Sequence, residues 1–332
     1  MSAPSLSLTT VPAARGRWAR RNAWTLGVYA LMVALLVVEK IVHPDLNGYD
    51  MQSLVGGALP LALAAMAQAA VVISGGIDLS IGAMMSLVNV TSALYMVHAD
   101  LPGALLIAAL LVVATALAGA LTGAIITITR VPDIIVTLAT SFVWSGLALQ
   151  VMPTPGGGAP QAFADLLTGD IGSVLPAGVI VLLLVSVLVW LPLRRTRLGL
   201  ALYAVGSNRT AAYLSGIGVG RARGAAYILG GVFAALAGLA LTASTLNGNA
   251  TSGTAGAGYT LNSVAAIVVG GVSLTGGRGG MLGPIAAAVV LTQINTILTF
   301  VGVDANVGTV IQGALVVVVV MVAGLVLMRR RV

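Results

Sequence analysis

The sequence has no cysteine, which removes disulfides, thiolate nucleophiles and thiolate metal ligands. Its two histidines, His43 and His98, fall in separate connecting segments, so no metal site is assigned. Lys40 is the sole lysine, and Ile41 follows it. A phosphate-cradling P-loop needs Gly-Lys-Ser/Thr, so the chain has no ATP-hydrolysing site of that kind. Charged residues make up 8% of 332, against about 25% in a soluble domain. That scarcity excludes an ordinary soluble enzyme, a disordered chain and a nucleic-acid binder. The net charge of +7 would point to a polyanion in a soluble protein. In so apolar a chain the positions of the charges carry the information instead.

What is present is hydrocarbon: 58% of the residues are hydrophobic. A membrane-crossing helix needs about 20 apolar residues. The apolar runs predict an all-α, polytopic membrane protein of about ten spans. They cover approximately 23–42, 52–74, 79–97, 102–128, 134–152, 175–193, 223–245, 260–275, 281–300 and 307–328. Residues 1–22 read as a polar cytoplasmic leader, 23–328 as one transmembrane domain and 329–332 as a basic cytoplasmic tail. The run after Arg21 continues to Glu39 without a small-residue cleavage site, so it reads as a retained helix rather than a signal peptide. With both termini in the cytoplasm, fifteen of the sixteen basic residues fall inside and only Lys40 outside. Seven acids, Glu39, Asp45, Asp50, Asp100, Asp165, Asp170 and Asp304, fall outside. The excess of Lys and Arg in cytoplasmic loops is what orients spans in a bilayer.

Two connections are long. The outer one, 153–174, opens on Pro153-Thr154-Pro155-Gly156-Gly157-Gly158 and reads as a flexible connection or a lid. The inner one, 194–223, carries arginines at both ends. Within it, Ser207 or Asn208 can cap a short helix, and Gly216 can end it.

Small and polar residues mark the spans. Gly119 and Gly123 form a Gly-x-x-x-Gly pair, and Gly230, Gly231, Ala234 and Gly238 a similar face, both expected to let backbones pack closely. Gln68, Ser86, Asn89, Thr91, Thr137, Ser141, Asn262, Gln293, Asn295 and Gln312 are scattered polar groups. Ser86 and Asn89, three apart, share a helix face. Apart from Glu39 and Lys40 at an edge, no span is expected to bury a Glu, Lys, Arg or His. Amides, hydroxyls and small residues suit a neutral, hydroxyl-rich solute. An ion-coupled secondary carrier is the rival class; ionisable relays are usual in such pathways, and Asp78 is the sole candidate.

A glycine motif occurs twice. Ser74-Gly75-Gly76-Ile77-Asp78-Leu79-Ser80-Ile81-Gly82 interrupts the second and third spans. Asp78 and Ser80 are placed to cap the next helix. Gly270-Gly271-Val272-Ser273-Leu274-Thr275 repeats the pattern Gly-Gly, Ile or Val, polar, Leu, Ser or Thr, which reads as a trace of internal duplication. Gly75, Gly76, Asp78, Ser80, Ser86, Asn89, Gly270 and Gly271 are the pathway or gate candidates.

These glycine segments, the loop from Tyr203 to Ile217 and the stretch Ala255-Gly256-Ala257-Gly258-Tyr259 carry a resemblance over roughly residues 50–325. The chain resembles the permease subunits of ribose-type sugar ABC importers, in the branched binding-protein-dependent transport family. The resemblance implies a bacterial inner-membrane subunit that imports a monosaccharide by alternating access. It implies a cytoplasmic ATP-binding subunit holding ATP and Mg, a periplasmic sugar-binding protein, a second permease subunit and no cofactor on this chain itself. It makes Asn208, Arg209, Ala211, Ala212, Ser215 and Gly216 the ATPase-coupling residues. A non-sugar solute such as an autoinducer is the alternative within that family.

Overall fold

The computed structural model describes residues 14–172, 175–250, 253–304 and parts of 306–321. The leader before Ala14 and the basic tail 329–332 lie outside the described residues, as does Gln312. Among the described residues the regular elements are all helices, apart from one short hairpin. The helices are α1 (Ala14–Val42), α2 (Gly48–Ile73), α3 (Ile81–Met96), α4 (Leu101–Thr129), α5 (Asp133–Val151), α6 (Gln161–Thr168) and α7 (Ala177–Leu184). After a π-helical segment, Val185–Trp190, come α8 (Leu191–Arg195), α9 (Arg197–Ser207), α10 (Arg209–Leu214), α11 (Val219–Thr245), α12 (Gly253–Val269) and α13 (Leu282–Phe300).

Among the described residues, seven helical stretches are long and apolar enough to cross a membrane. They match seven of the predicted runs. The predicted third and eighth runs are the shorter apolar helices Ile81–Met96 and Gly258–Val269. The tenth falls on residues that are only partly described.

Local chemistry explains where helices start and stop. Asn47 Oδ1 accepts the N–H groups of Tyr49 and Asp50, while the Asp50 carboxylate accepts the Asn47 N–H at 2.9 Å. This reciprocal cap satisfies donors that a helix start leaves free. Asp100 accepts the Gly103 N–H at 2.9 Å to open α4. α4 closes at Arg130, in the left-handed region at φ 58°.

α2 is the hub. From Ala58 to Ile73 every residue is buried, and α11, α13, α12, α7 and α3 pack around it. α4 is the opposite case: Leu105, Leu106, Leu110, Val113, Leu117 and Leu121 are all exposed, as suits a helix facing lipid. The glycine pairs do what their spacing predicts. A Cβ on Gly119 would lie 2.2 Å from the Tyr227 carbonyl oxygen, and one on Gly231 2.2 Å from that of Thr115. α4 and α11 therefore cross backbone to backbone. Gly238 likewise brings α11 close to α3, where a Cβ would lie 2.6 Å from the Met85 carbonyl oxygen.

The connection 153–174 is folded. Its helix α6 buries Phe163 and Ala164 and packs on α11, α2, α7 and α4. Gln52 Nε2 donates to the Thr168 carbonyl at 2.9 Å, and Gly156 pairs with Gly248. Asp170–Ile171 and Leu175–Pro176 form an antiparallel hairpin beyond it. The packing of α6 on the bundle argues against a flexible connection.

Candidate coupling site at one end of the bundle

The connection 194–223 folds into α8, α9 and α10. Asn208 Oδ1 accepts the Ala211 N–H at 2.9 Å, the predicted cap of α10. Gly216, at φ 78°, ends it: its N–H reaches the Tyr213 carbonyl at 2.9 Å, and the Ile217 N–H reaches Ala212 at 3.0 Å. This is the usual left-handed helix stop. Asn208, Arg209, Ala211, Ser215 and Gly216 are exposed. Ala212 is buried and packs α10 onto the bundle. Tyr213 and Leu214 are 71% and 78% exposed. A two-turn helix that leaves two large apolar side chains exposed is a candidate contact surface. Those two residues were missed in the sequence because an apolar pair reads as core.

α9 ties this helix to both glycine turns. A Cβ on Gly206 would fall 1.9 Å from the Ile73 carbonyl oxygen and 2.6 Å from the Gly277 nitrogen. The Gly277 N–H donates to that same Ile73 carbonyl at 2.9 Å. A Cβ on Gly276 would meet Gly75 and Gly206 backbone atoms at about 3 Å. Tyr203 donates from its hydroxyl to the Gly279 carbonyl at 2.7 Å. The end of α2, the end of α9 and the loop after α12 thus touch backbone to backbone at Gly206, Gly276 and Gly277, with the Tyr203 hydroxyl as a side-chain tie.

The two turns share one geometry, but not in the register the sequence pattern gives. Gly75 and Gly271 are the left-handed residues, at φ 81° and 82°. Each N–H reaches the carbonyl three residues back, and the next N–H reaches five back: Gly76 to Val71 and Val272 to Ile267. Gly75 therefore matches Gly271, whereas the sequence pattern pairs it with Gly270. Gly216 and Gly302 close α10 and α13 the same way. The motif is a general helix stop in this chain and carries no weight for a duplication.

Asp78 and Ser80 do not both cap α3. Asp78 Oδ1 accepts the Ser80 N–H at 2.8 Å and the Ser80 hydroxyl at 2.6 Å. The Ser80 hydroxyl is spent on that bond and makes none to the helix start. Thr260 of α12 serves there instead, its Oγ1 accepting the Gly82 N–H at 3.0 Å.

The expectation that no span buries an arginine is wrong at one position. Arg223, one turn into α11, is buried and paired with Asp133 at the start of α5. Tyr227 donates from its hydroxyl to Asp133 Oδ2 at 2.9 Å. A buried charge needs such a partner. Sequence alone places Arg223 in a loop, because the partner lies 90 residues away. Gly76 packs directly on the pair: a Cβ there would lie 2.7 Å from Asp133 Oδ2 and 2.9 Å from the Tyr227 oxygen.

The remaining candidates lie elsewhere. Gly270 is pressed on Pro284, and Gly271 on the Trp24 ring. Asn89 is buried and fully bonded: its Nδ2 donates to Thr242 and to the Asn247 carbonyl at 3.0 Å each, and its Oδ1 accepts the Asn249 N–H. It pins α3 to the far end of α11. Ser86 is half-buried on α3, one turn from Asn89.

Residues 51–320 match the family described as branched-chain amino acid transport system / permease component. The chain belongs to that family. It is 30% identical over 323 residues to the ribose import permease protein of Escherichia coli K12, covering 94% of this chain and 98% of that one. It is 32% identical over 301 residues to the ribose import permease protein of Bacillus subtilis, covering 89% and 91%. It is 29% identical over 309 residues to the autoinducer 2 import system permease protein of Escherichia coli O9:H4, covering 90% and 92%. No solved structure matches the chain. The chain is a multi-pass membrane permease, a transport subunit in its family's terms.

Proposed function

We propose that this chain is the membrane-spanning subunit of a bacterial inner-membrane ABC importer for a monosaccharide. The observation that carries it is an exposed, capped helix, α10, that follows directly on α9, whose Gly206 packs backbone to backbone on the end of α2 and on the loop after α12. A cytoplasmic ATP-binding subunit would grip Arg209, Tyr213 and Leu214. A push there would pass through α9 into α2, because the Gly206 contact is backbone to backbone and leaves little slack. Two named ribose importers among its relatives support a sugar as solute. A periplasmic binding protein would deliver it over α6, and a second permease subunit would complete the pathway. ATP and Mg would sit in the partner, since this chain offers no P-loop.

The ion-coupled carrier would use Asp78 and Asp133. Asp133 is already paired with Arg223 and Tyr227, and Asp78 with Ser80. The relative that imports autoinducer 2 supports the non-sugar alternative.

The test is purification of the tagged protein in mild detergent, followed by reconstitution. Co-purification of an ATP-binding subunit, with uptake of D-ribose or another pentose that requires ATP and the binding protein, is the expected result. Uptake by the chain alone, driven by a sodium or proton gradient, would replace the proposal with the carrier. Sidedness has its own check. Ser207→Cys should resist an impermeant thiol reagent in intact cells, and Asp170→Cys should react.

A further inference from the structure

Gln68 is wholly buried in α2, and neither its amide oxygen nor its amide nitrogen has a hydrogen-bond partner. Asn89, buried to the same degree, uses both ends of its amide, and Gln293 still donates to the Met32 carbonyl. An apolar interior strongly disfavours an amide with nothing to bond. Its placement is mechanical as well. Pro60 stands inside α2, where it removes a helix hydrogen bond and presses on the carbonyl of Gly56. Gly57 follows, so a weak point lies two turns before Gln68. From Ala62 to Ala70, six of nine residues are alanine, which leaves that half of α2 smooth against its neighbours. Its lower end, at Ile73, is the carbonyl that Gly206 touches.

We propose that Gln68 is a solute-contacting residue of the pathway. In a second state of the cycle the half of α2 below Pro60 moves with α9, and the amide meets the hydroxyls of a neutral polyhydroxyl solute. An amide donates and accepts at once, which is what a sugar hydroxyl offers in return. The proposal rests on the importer reading above.

The chain is naturally free of cysteine, so Gln68→Cys gives a single label site. In the reconstituted complex, N-ethylmaleimide should modify it about fivefold faster after vanadate trapping than at rest, as a shift in state populations requires. One of D-ribose, D-xylose, L-arabinose or D-galactose, presented with the binding protein, should slow that labelling. Gln68→Leu should raise thermal stability while cutting uptake about tenfold, the effect of losing one polar solute contact. Gln68→Asn should keep part of the uptake. A cysteine that stays inert in both states overturns the proposal. So does labelling that no sugar slows, which would mean water alone reaches the site, or Gln68→Leu with wild-type uptake. Failure of ATP-driven uptake in the unmutated complex would reject the importer reading instead, a separate result.

Discussion

The turns after α2 and after α12 have the same backbone and opposite surroundings. Behind Gly75 stands Gly76, packed on a carboxylate and a phenol that belong to a buried ion pair. Beside Gly271 stands the ring of Trp24, whose Nε1 donates to the Val269 carbonyl at 2.7 Å. One turn is bounded by charge, the other by an aromatic clamp from α1. A hydrogen-bond pattern that any helix can use to stop has been set in two places with different consequences. The first turn links α2, whose lower half would move in the proposal above, to α5 and α11. The second fastens α12 to α1 and α13.

Breaking the charged side should have the largest effect. Asp133→Ala leaves Arg223 buried without its partner, which costs about 3–5 kcal/mol in comparable buried pairs. The protein should melt well below wild type in detergent and lose uptake. Asp133→Leu combined with Arg223→Met should recover most of the stability, since an apolar replacement of both partners is often neutral. If the double variant is as unstable as the single one, the pair is not what holds α5 to α11.

Next comes the contact that joins the two turns. Gly206→Ala gains about 1 kcal/mol of helix propensity, but it drives a methyl group to 1.9 Å from a backbone carbonyl. Overpacking of that kind costs about 1–3 kcal/mol, and neither neighbour is a side chain that can turn away. A net loss of about 2 kcal/mol is expected, with ATPase stimulation by the binding protein abolished. Wild-type coupling in this variant would remove Gly206 from the transmission path.

The glycines themselves sharpen the contrast. Both Gly75→Ala and Gly271→Ala put a Cβ into the left-handed region, at about 1–2 kcal/mol each. Beyond that strain the two differ. A Cβ at Gly75 would find its nearest atom at 3.4 Å, whereas one at Gly271 would meet the Trp24 ring at 2.4 Å. Gly271→Ala should therefore be the less stable of the two, by about 1 kcal/mol. Gly75→Ala should cost more transport for the stability it loses, because it lies against Gly206 of α9, the helix proposed to move with α2. Parallel melting curves and uptake rates check both halves; an equal ratio of transport lost to stability lost would erase the difference between the turns.

Much of this was legible in the sequence, and the rest was hidden for definite reasons. Long apolar runs fix helices because a segment of about 20 apolar residues can satisfy all its backbone groups within a bilayer only as a helix. Asn208 and Gly216 marked α10 because capping is local chemistry. Gly119 and Gly123 announced the crossing of α4 and α11 by spacing alone. Arg223 and Asp133 could not be paired, since nothing within 90 residues relates them except the fold. The register of the second turn failed because two adjacent glycines give the sequence no means to say which takes the positive φ. The helix α6 was hidden behind a glycine- and proline-rich start, although Phe163, Ala164 and Leu167 have helical spacing. Gln68 was one polar residue among many until burial without a partner set it apart.

The smallest effect on stability should accompany a large effect on function. Tyr213→Ala and Leu214→Ala remove side chains that are 71% and 78% exposed. Surface substitutions of this sort usually change stability by no more than about 0.5 kcal/mol. The melting temperature of the isolated permease should therefore hardly move. In the complex these side chains are the apolar centre of the proposed grip, where loss of an anchor costs binding about 1–2 kcal/mol or more. Recovery of the ATP-binding subunit on the tagged permease should drop about tenfold for the double variant. Asn208→Ala works differently. It removes the cap of α10 and loosens the whole helix by about 1 kcal/mol, so binding should weaken while Tyr213 and Leu214 are still present. If the double variant retains the ATPase and Asn208→Ala loses it, the backbone of α10 is gripped instead of its apolar side chains, and the contact surface moves to Arg209 and Ser215.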